Sequence, residues 1–144
     1  MATELRSREL ATTMKAVRMH AYGGPDVLVY EDTARPMAST GEVLIKVHAA
    51  GVNPLDWKIR EGYMKGLNRL PLIPGWDVSG VVEDVGNGVT DLKKGDAVYG
   101  MLDFSRDGAY SEYAVARSSI LAPKPASLDY VLSAAVPLDA LVAW

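Results

Sequence analysis

Short apolar runs recur along this chain between clusters of turn residues, and the longest of them alternates with a period of two. The regular pattern begins at Met14. Met14 to His20 predicts a first strand, Tyr22-Gly23-Gly24-Pro25-Asp26 a turn, and Val27 to Asp32 a second strand. Pro36 to Gly41 reads as a loop. Glu42 to Val52 carries the longest strand signal, with Val43, Ile45 and Val47 on one face and Leu44, Lys46 and His48 on the other. On that pattern His48 is expected to face solvent. Pro54 suits a first helical position, Leu55 to Glu61 makes about two turns, and Gly62 closes them. Gly66 to Trp76 is rich in turn residues and reads as a loop. Val78 to Val85 predicts a strand that Gly80 interrupts, the mark of a bend or a close backbone approach. Gly86-Asn87-Gly88 and Lys93-Lys94-Gly95-Asp96 are turns, and Ala97 to Met101, Ala109 to Ala116 and Ile120 to Ala122 are further strands.

Short strands punctuated by glycine turns predict a mainly β fold, a closed or nearly closed barrel. One short helix after Pro54 is too little for alternating strands and crossover helices. The end of the chain differs. Ser127 is expected to cap a helix over Leu128 to Val136, Pro137 interrupts it, and Leu138 to Trp144 starts another. In that last stretch only Asp139 is polar. A helix apolar all round must be buried. The chain is therefore expected to be a piece of a longer protein, or to bury this stretch on the barrel or on a second copy of itself. The expected division is a flexible tail over residues 1–13, a barrel over 14–127 and the start of helices over 128–144.

Composition narrows the chemistry. The chain has 144 residues, 49% of them hydrophobic and 23% charged, with a net charge of −3. That is globular composition with enough length for one real core. No apolar run approaches ~18 residues, so no membrane-spanning helix is expected. The acidic balance and the lack of clustered Lys or Arg argue against nucleic acid or an anionic membrane as a partner. Cysteine is absent, which removes disulfides, thiolate nucleophiles and Cys-ligated zinc. Residues 1–13 mix charges of both signs without an apolar core, so a cytoplasmic protein is expected.

Most chemical motifs fail on inspection. Gly86-x-Gly88 follows a strand, but Asp91 holds the third glycine position and no helix follows, so there is no phosphate cradle. Gly75 and Gly80 have no P-loop lysine after them. His20 and His48 lie on different strands, and no metal site is expected. No Gly-x-Ser-x-Gly elbow supports a nucleophilic serine. Asn53 stands out, because it falls where a strand ends and a helix begins. An amide there can cap the helix or offer N–H and C=O groups to a ligand.

Several ordered segments carry a family resemblance. They are Gly51-Val52-Asn53-Pro54-x-Asp56, Arg60-x-Gly62, Pro74-Gly75-x-Asp77-x-x-Gly80-Val81-Val82-x-x-Val85-Gly86, Gly95-Asp96-x-Val98, Gly108-Ala109-Tyr110-Ser111-Glu112-Tyr113 and Ala134-Ala135-x-Pro137-Leu138. In this order they resemble the N-terminal GroES-like β-barrel of the medium-chain dehydrogenase/reductase superfamily. The similar branch is that of the zinc-independent quinone oxidoreductase-like enzymes. The zinc alcohol dehydrogenases have a cysteine ligand where this chain has Asn53, and Gly-His-Glu where it has Gly75-Trp76-Asp77.

The resemblance implies hydride transfer from NADPH or NADH to a quinone or to the activated C=C bond of an enone or enal, with no zinc. It implies catalytic roles for Asn53 and for Tyr63 as a donor, and cofactor-binding roles for Asn53 and Pro54. Asp56 is expected to cap or orient the helix, and Trp76 to pack. The superfamily's dinucleotide-binding domain follows this one in sequence. The 144-residue chain alone is therefore expected to bind NADP(H) weakly or not at all and to be inactive. A homodimer through the apolar C-terminus is a further expectation. The alternative is a stand-alone GroES-like barrel that acts as a non-enzymatic binding or interaction module.

Overall fold

The computed structural model describes residues 12–144. Residues 1–11 of the expected tail lie outside the described residues. Thr13 does not belong to a tail, because it begins the first strand and pairs with Ala34. Strands β1 (Thr13–Met19) and β2 (Leu28–Ala34) form an antiparallel pair, joined through a short 3-10 turn at Pro25–Val27. Five strands form the second sheet: β3 (Glu42–Gly51), β4 (Asp77–Val85), β5 (Ala97–Met101), β6 (Tyr113–Arg117) and β7 (Leu121–Pro123). Their order is β6-β3-β4-β5-β7, and every neighbouring pair is antiparallel. The fold is mainly β, as the alternating pattern predicts.

The core gathers inward positions of both sheets. Met19, Val43, Ile45, Val78, Val82 and Val98 are buried in one cluster with Ile59 from the helix and with Trp76. Burying side chains of this size contributes about 1.5–3 kcal/mol each. The alternation expected in β3 fails at its start, where Glu42, Val43, Leu44 and Ile45 are all buried. The register against β4 shifts between Leu44 and Ile45 and again between Val47 and Ala49. Such shifts bend a strand and turn its side chains away from strict alternation. Glu42 accepts from Arg106 at 2.6 Å and from the Ser39 amide at 3.1 Å, which compensates its burial. Gly80 lies opposite Val47 beside the second shift, where a Cβ would stand 2.2 Å from the Lys46 carbonyl oxygen. The close approach read from its place in the strand is there.

Segment 72–76 is less of a loop than its turn residues suggest. Leu72 bridges Met19 through two backbone hydrogen bonds of 2.9 and 3.0 Å. Pro74 and Gly75 accept from Tyr110 and Ala109. This explains why the strand expected over 109–116 shortens to Tyr113–Arg117. Ala109 and Tyr110 bond to segment 74–75, Tyr110 and Glu112 bond to β1, and of their backbone groups only the Glu112 carbonyl reaches β3, accepting from Val47 at 2.9 Å. His48 is exposed as expected, and its ring stacks on Tyr130 at 4.2 Å.

Helix α1 (Pro54–Glu61) begins with Pro54 and ends at Gly62, whose φ is 91°. Of the terminal helices the first is shorter than expected, and the second starts one residue early. Helix α2 covers Tyr130–Ala134, and its N-cap is Asp129, not Ser127: the Asp129 carboxylate accepts from the Leu132 amide at 2.8 Å. Pro125 to Leu128 closes a turn first, which leaves Ser127 outside the helix. Helix α3 (Pro137–Ala143) starts on Pro137, so the proline opens this helix as its first residue. The apolar stretch is not covered, and Leu141 and Val142 are exposed. No helix among the described residues is long and apolar enough to cross a membrane.

Candidate active site

The site forms where β3 hands over to α1. Asn53 is extended, with φ −128° and ψ 160°, so it leaves the strand and caps the helix at once. Asp56, at the third helical position, reaches back and accepts the Asn53 amide at 2.6 Å. This is the capping role expected of Asp56, but two further donors converge on the same carboxylate. The Gly75 amide donates at 3.2 Å and the Tyr110 hydroxyl at 3.1 Å. Asp56 thereby joins α1 to segment 74–76 and to the chain before β6.

A second buried carboxylate lies beside it. Asp77 is 1% exposed, opens β4 and stands opposite Gly51. It accepts from the Asn53 side-chain amide at 2.9 Å and from the Leu138 amide at 3.0 Å. Only the amide nitrogen can face a carboxylate, so this bond fixes the orientation of Asn53. Burial pushes both carboxyls above the usual range, and their hydrogen bonds pull the other way. Burial pushes the Tyr110 hydroxyl far up as well, and the charge of Asp56 adds to it, so Tyr110 stays a hydroxyl donor near neutral pH.

Gly75 makes room for this arrangement. Its φ is +85°, and a Cβ on it would stand 2.2 Å from the Tyr110 ring. Glycine alone meets both demands at little cost.

A cavity of about 220 Å³ opens on the site, lined by Leu28, Val52, Asn53, Trp57, Pro74 and Tyr110 among others. A complete ligand pocket runs to roughly 300–1,000 Å³, so this one is a partial site with mostly apolar walls and with Asn53, Asp56, Arg60 and Tyr110 as its polar lining. The bond to Asp77 engages one side-chain amide hydrogen of Asn53, and the second has no partner among the described residues. Pro54 is exposed, next to the cavity in sequence but not in its lining. Tyr63 is 71% exposed and does not line the cavity either. It packs edge-on against Trp57, with ring centres 5.8 Å apart. Trp76 packs, as expected: it is buried, and its indole N–H donates to the Arg106 carbonyl at 3.0 Å. A larger hollow, of about 450 Å³, lies elsewhere, between Leu102, Phe104, Val115, Arg117 and Leu141.

Sequence reasoning assigned no role to Asp77 or Tyr110. No local pattern marks Asp77: it falls in the run Leu72 to Gly80, whose burial appears only in the fold. No local pattern marks Tyr110 either.

The chain belongs to the alcohol dehydrogenase GroES-like domain family, whose pattern matches residues 39–126, and with it to the medium-chain dehydrogenase/reductase superfamily. It is 44% identical over 124 residues to the quinone oxidoreductase of Sus scrofa, covering 85% of this chain and 37% of that protein. It is 41% identical over 133 residues to a chloroplastic NADPH-dependent alkenal/one oxidoreductase of Arabidopsis thaliana, covering 87% of this chain and 34% of that one. The solved quinone oxidoreductase of Coxiella burnetii superposes with a TM-score of 0.85 at 35% identity, over 91% of this chain and 43% of that structure. The chain thus spans about two-fifths of the length of the relatives it matches.

Proposed function

We propose that this chain is the catalytic domain of a zinc-independent, NADPH-dependent cytoplasmic oxidoreductase that reduces quinones or the activated C=C bonds of enones and enals. The observation that carries this reading is the Asn53 amide, pinned by Asp77 at the rim of an apolar half-cavity. When bound, the reduced nicotinamide supplies a hydride. The cavity fits an uncharged ring or a short unsaturated chain, walled by Val52, Trp57 and Pro74. The free amide hydrogen of Asn53 is a donor for the substrate oxygen that gains charge. A fixed donor of this kind stabilises that charge without reorganisation. Pro54 shapes the approach to Asn53 by starting α1 at once, and Tyr63 stands on the Trp57 side as a second donor.

Zinc does not suit these residues. Where the zinc enzymes carry Cys and His, this chain has an amide that donates to Asp77 and an indole that donates to Arg106. Trp76 has no lone pair to offer and Asn53 only a neutral carbonyl oxygen, so the thiolate and imidazole of that site have no equivalent here. The exposed side chains of Leu141, Val142 and Trp144 support self-association of the chain, which sedimentation tests.

The experiment uses the longest reading frame that contains this chain. Consumption of NADPH is followed with a benzoquinone and with an alk-2-enal. Turnover is expected, and Asn53→Ala should lower kcat about 100-fold. A folded protein that oxidises NADPH with neither substrate would refute the reading. The 144-residue chain alone, titrated with NADPH under tryptophan fluorescence, should give no saturable change. Saturable micromolar binding by it would show a nucleotide site that this reading does not contain.

A further inference from the structure

We infer that Asp77 is a positioning residue, which sets the orientation of the Asn53 amide and ties that orientation to the start of helix α3. The inference rests on the reading of Asn53 as the donor to the reacting oxygen. It comes from three bonds that meet on one buried carboxylate. Asn53 donates its side-chain amide at 2.9 Å, and the Leu138 amide reaches both carboxylate oxygens, at 3.0 and 3.2 Å. Leu138 is the second residue of α3. Val136, at the N-cap of that helix, is apolar and makes no side-chain cap. Asp77, 61 residues earlier in the chain, therefore takes the place of the missing cap.

The surroundings of Asp77 favour a linking role over a simple ion pair. Among the described residues no cation pairs with it, and the charged groups that act on it are Asp56 and Asp139, both acidic. A buried carboxylate without a cation persists only while its hydrogen bonds are made. If α3 moves, Leu138 withdraws a donor, and the carboxylate must rotate or take up a proton. Either change alters the acceptor that holds Asn53. The geometry thus couples the junction at residues 136–138 to the amide on the cavity rim.

The test combines nuclear magnetic resonance with kinetics. In the isotope-labelled chain, Asp77→Asn removes the charge and replaces one of the two acceptor oxygens with an amide donor. The side-chain amide protons of Asn53 should shift and exchange with solvent about tenfold faster, because they lose a charge-assisted bond. Asp77→Ser serves as a second variant if the first does not fold. Unchanged Asn53 resonances in a folded variant would overturn the inference, whatever the activity.

In the longest reading frame, Asp77→Asn should lower kcat by about 10- to 100-fold, as misplacement of a reacting group does. KM should change little. In the Asn53→Ala background the same substitution should change kcat less than about threefold, because residues that act as one unit are not additive. Equal losses in both backgrounds would overturn the inference by showing that Asp77 does not act through Asn53. If the wild-type protein turns over neither substrate while the Asn53 resonances still respond to Asp77→Asn, the proposed function falls and the link stands.

Discussion

Tyr110→Phe isolates the hydroxyl that holds Asp56. The substitution keeps the ring, which packs over Gly75, and deletes the hydroxyl, which donates to the carboxylate at 3.1 Å and makes a longer contact of 3.4 Å with the Gly51 carbonyl. A hydrogen bond to a charged group contributes about 1.5–3 kcal/mol. Asp56 keeps the Asn53 and Gly75 amides, so the expected loss lies near the lower end, about 2 kcal/mol. With a urea slope of about 2 kcal/mol/M, the unfolding midpoint should fall by about 1 M near neutral pH.

The effect should depend on pH, and its sign follows from the raised carboxyl of Asp56. Burial makes the folded state hold the Asp56 proton to a higher pH than the unfolded chain does. Stability from this group is therefore greatest below the unfolded value and declines as pH rises through the folded value. Removing the Tyr110 hydroxyl, which favours the ionised form, moves the folded value further up. Once Asp56 is protonated in the fold, the lost bond is a neutral one, contributing about 0.5–1.5 kcal/mol. The difference between wild type and variant should therefore shrink as pH falls from neutral to acid. Urea unfolding of both proteins at the two pH values measures it. A loss that is equal at both pH values, or below about 0.5 kcal/mol at neutral pH, would refute the assignment of Asp56 as the buried anion that Tyr110 supports.

Gly75→Ala should destabilise by more than about 2 kcal/mol, because it adds a left-handed-backbone penalty to a Cβ 2.2 Å from the Tyr110 ring. The near-ultraviolet circular dichroism of the tyrosines should change with it, and a variant as stable as wild type would contradict the packing described. Asp129→Ala should cost about 1 kcal/mol by removing the N-cap of α2, read as a lower thermal midpoint. A larger loss from Ser127→Ala than from Asp129→Ala would put the helix start back at Ser127.

The contrast between Asn53 and Asp77 shows how far local sequence reaches. Asn53 was legible, because a strand run, a proline and a helical pattern meet at it, and local steric preferences alone place a cap there. The same holds for Gly62 as the end of α1, and for the β pattern that predicts the barrel. The burial of Glu42 to Ile45 was not legible, because the register shifts against β4 are properties of the partner strand as much as of β3. Ser127 failed as a cap because Pro125 to Leu128 forms a turn first, a competition between two local structures that the later packing of α2 decides.

By itself, then, the sequence determined the elements, the class of fold and the junction that carries Asn53. Those follow from dihedral preferences and from the period of hydrophobic residues, which act over a few positions. The tertiary structure alone decided which groups meet at that junction. Tyr110 reaches Asp56 across 54 positions, and Leu138 reaches Asp77 across 61. No local preference encodes a contact at that separation, because it exists only once the core has closed the intervening chain and excluded water from both carboxylates.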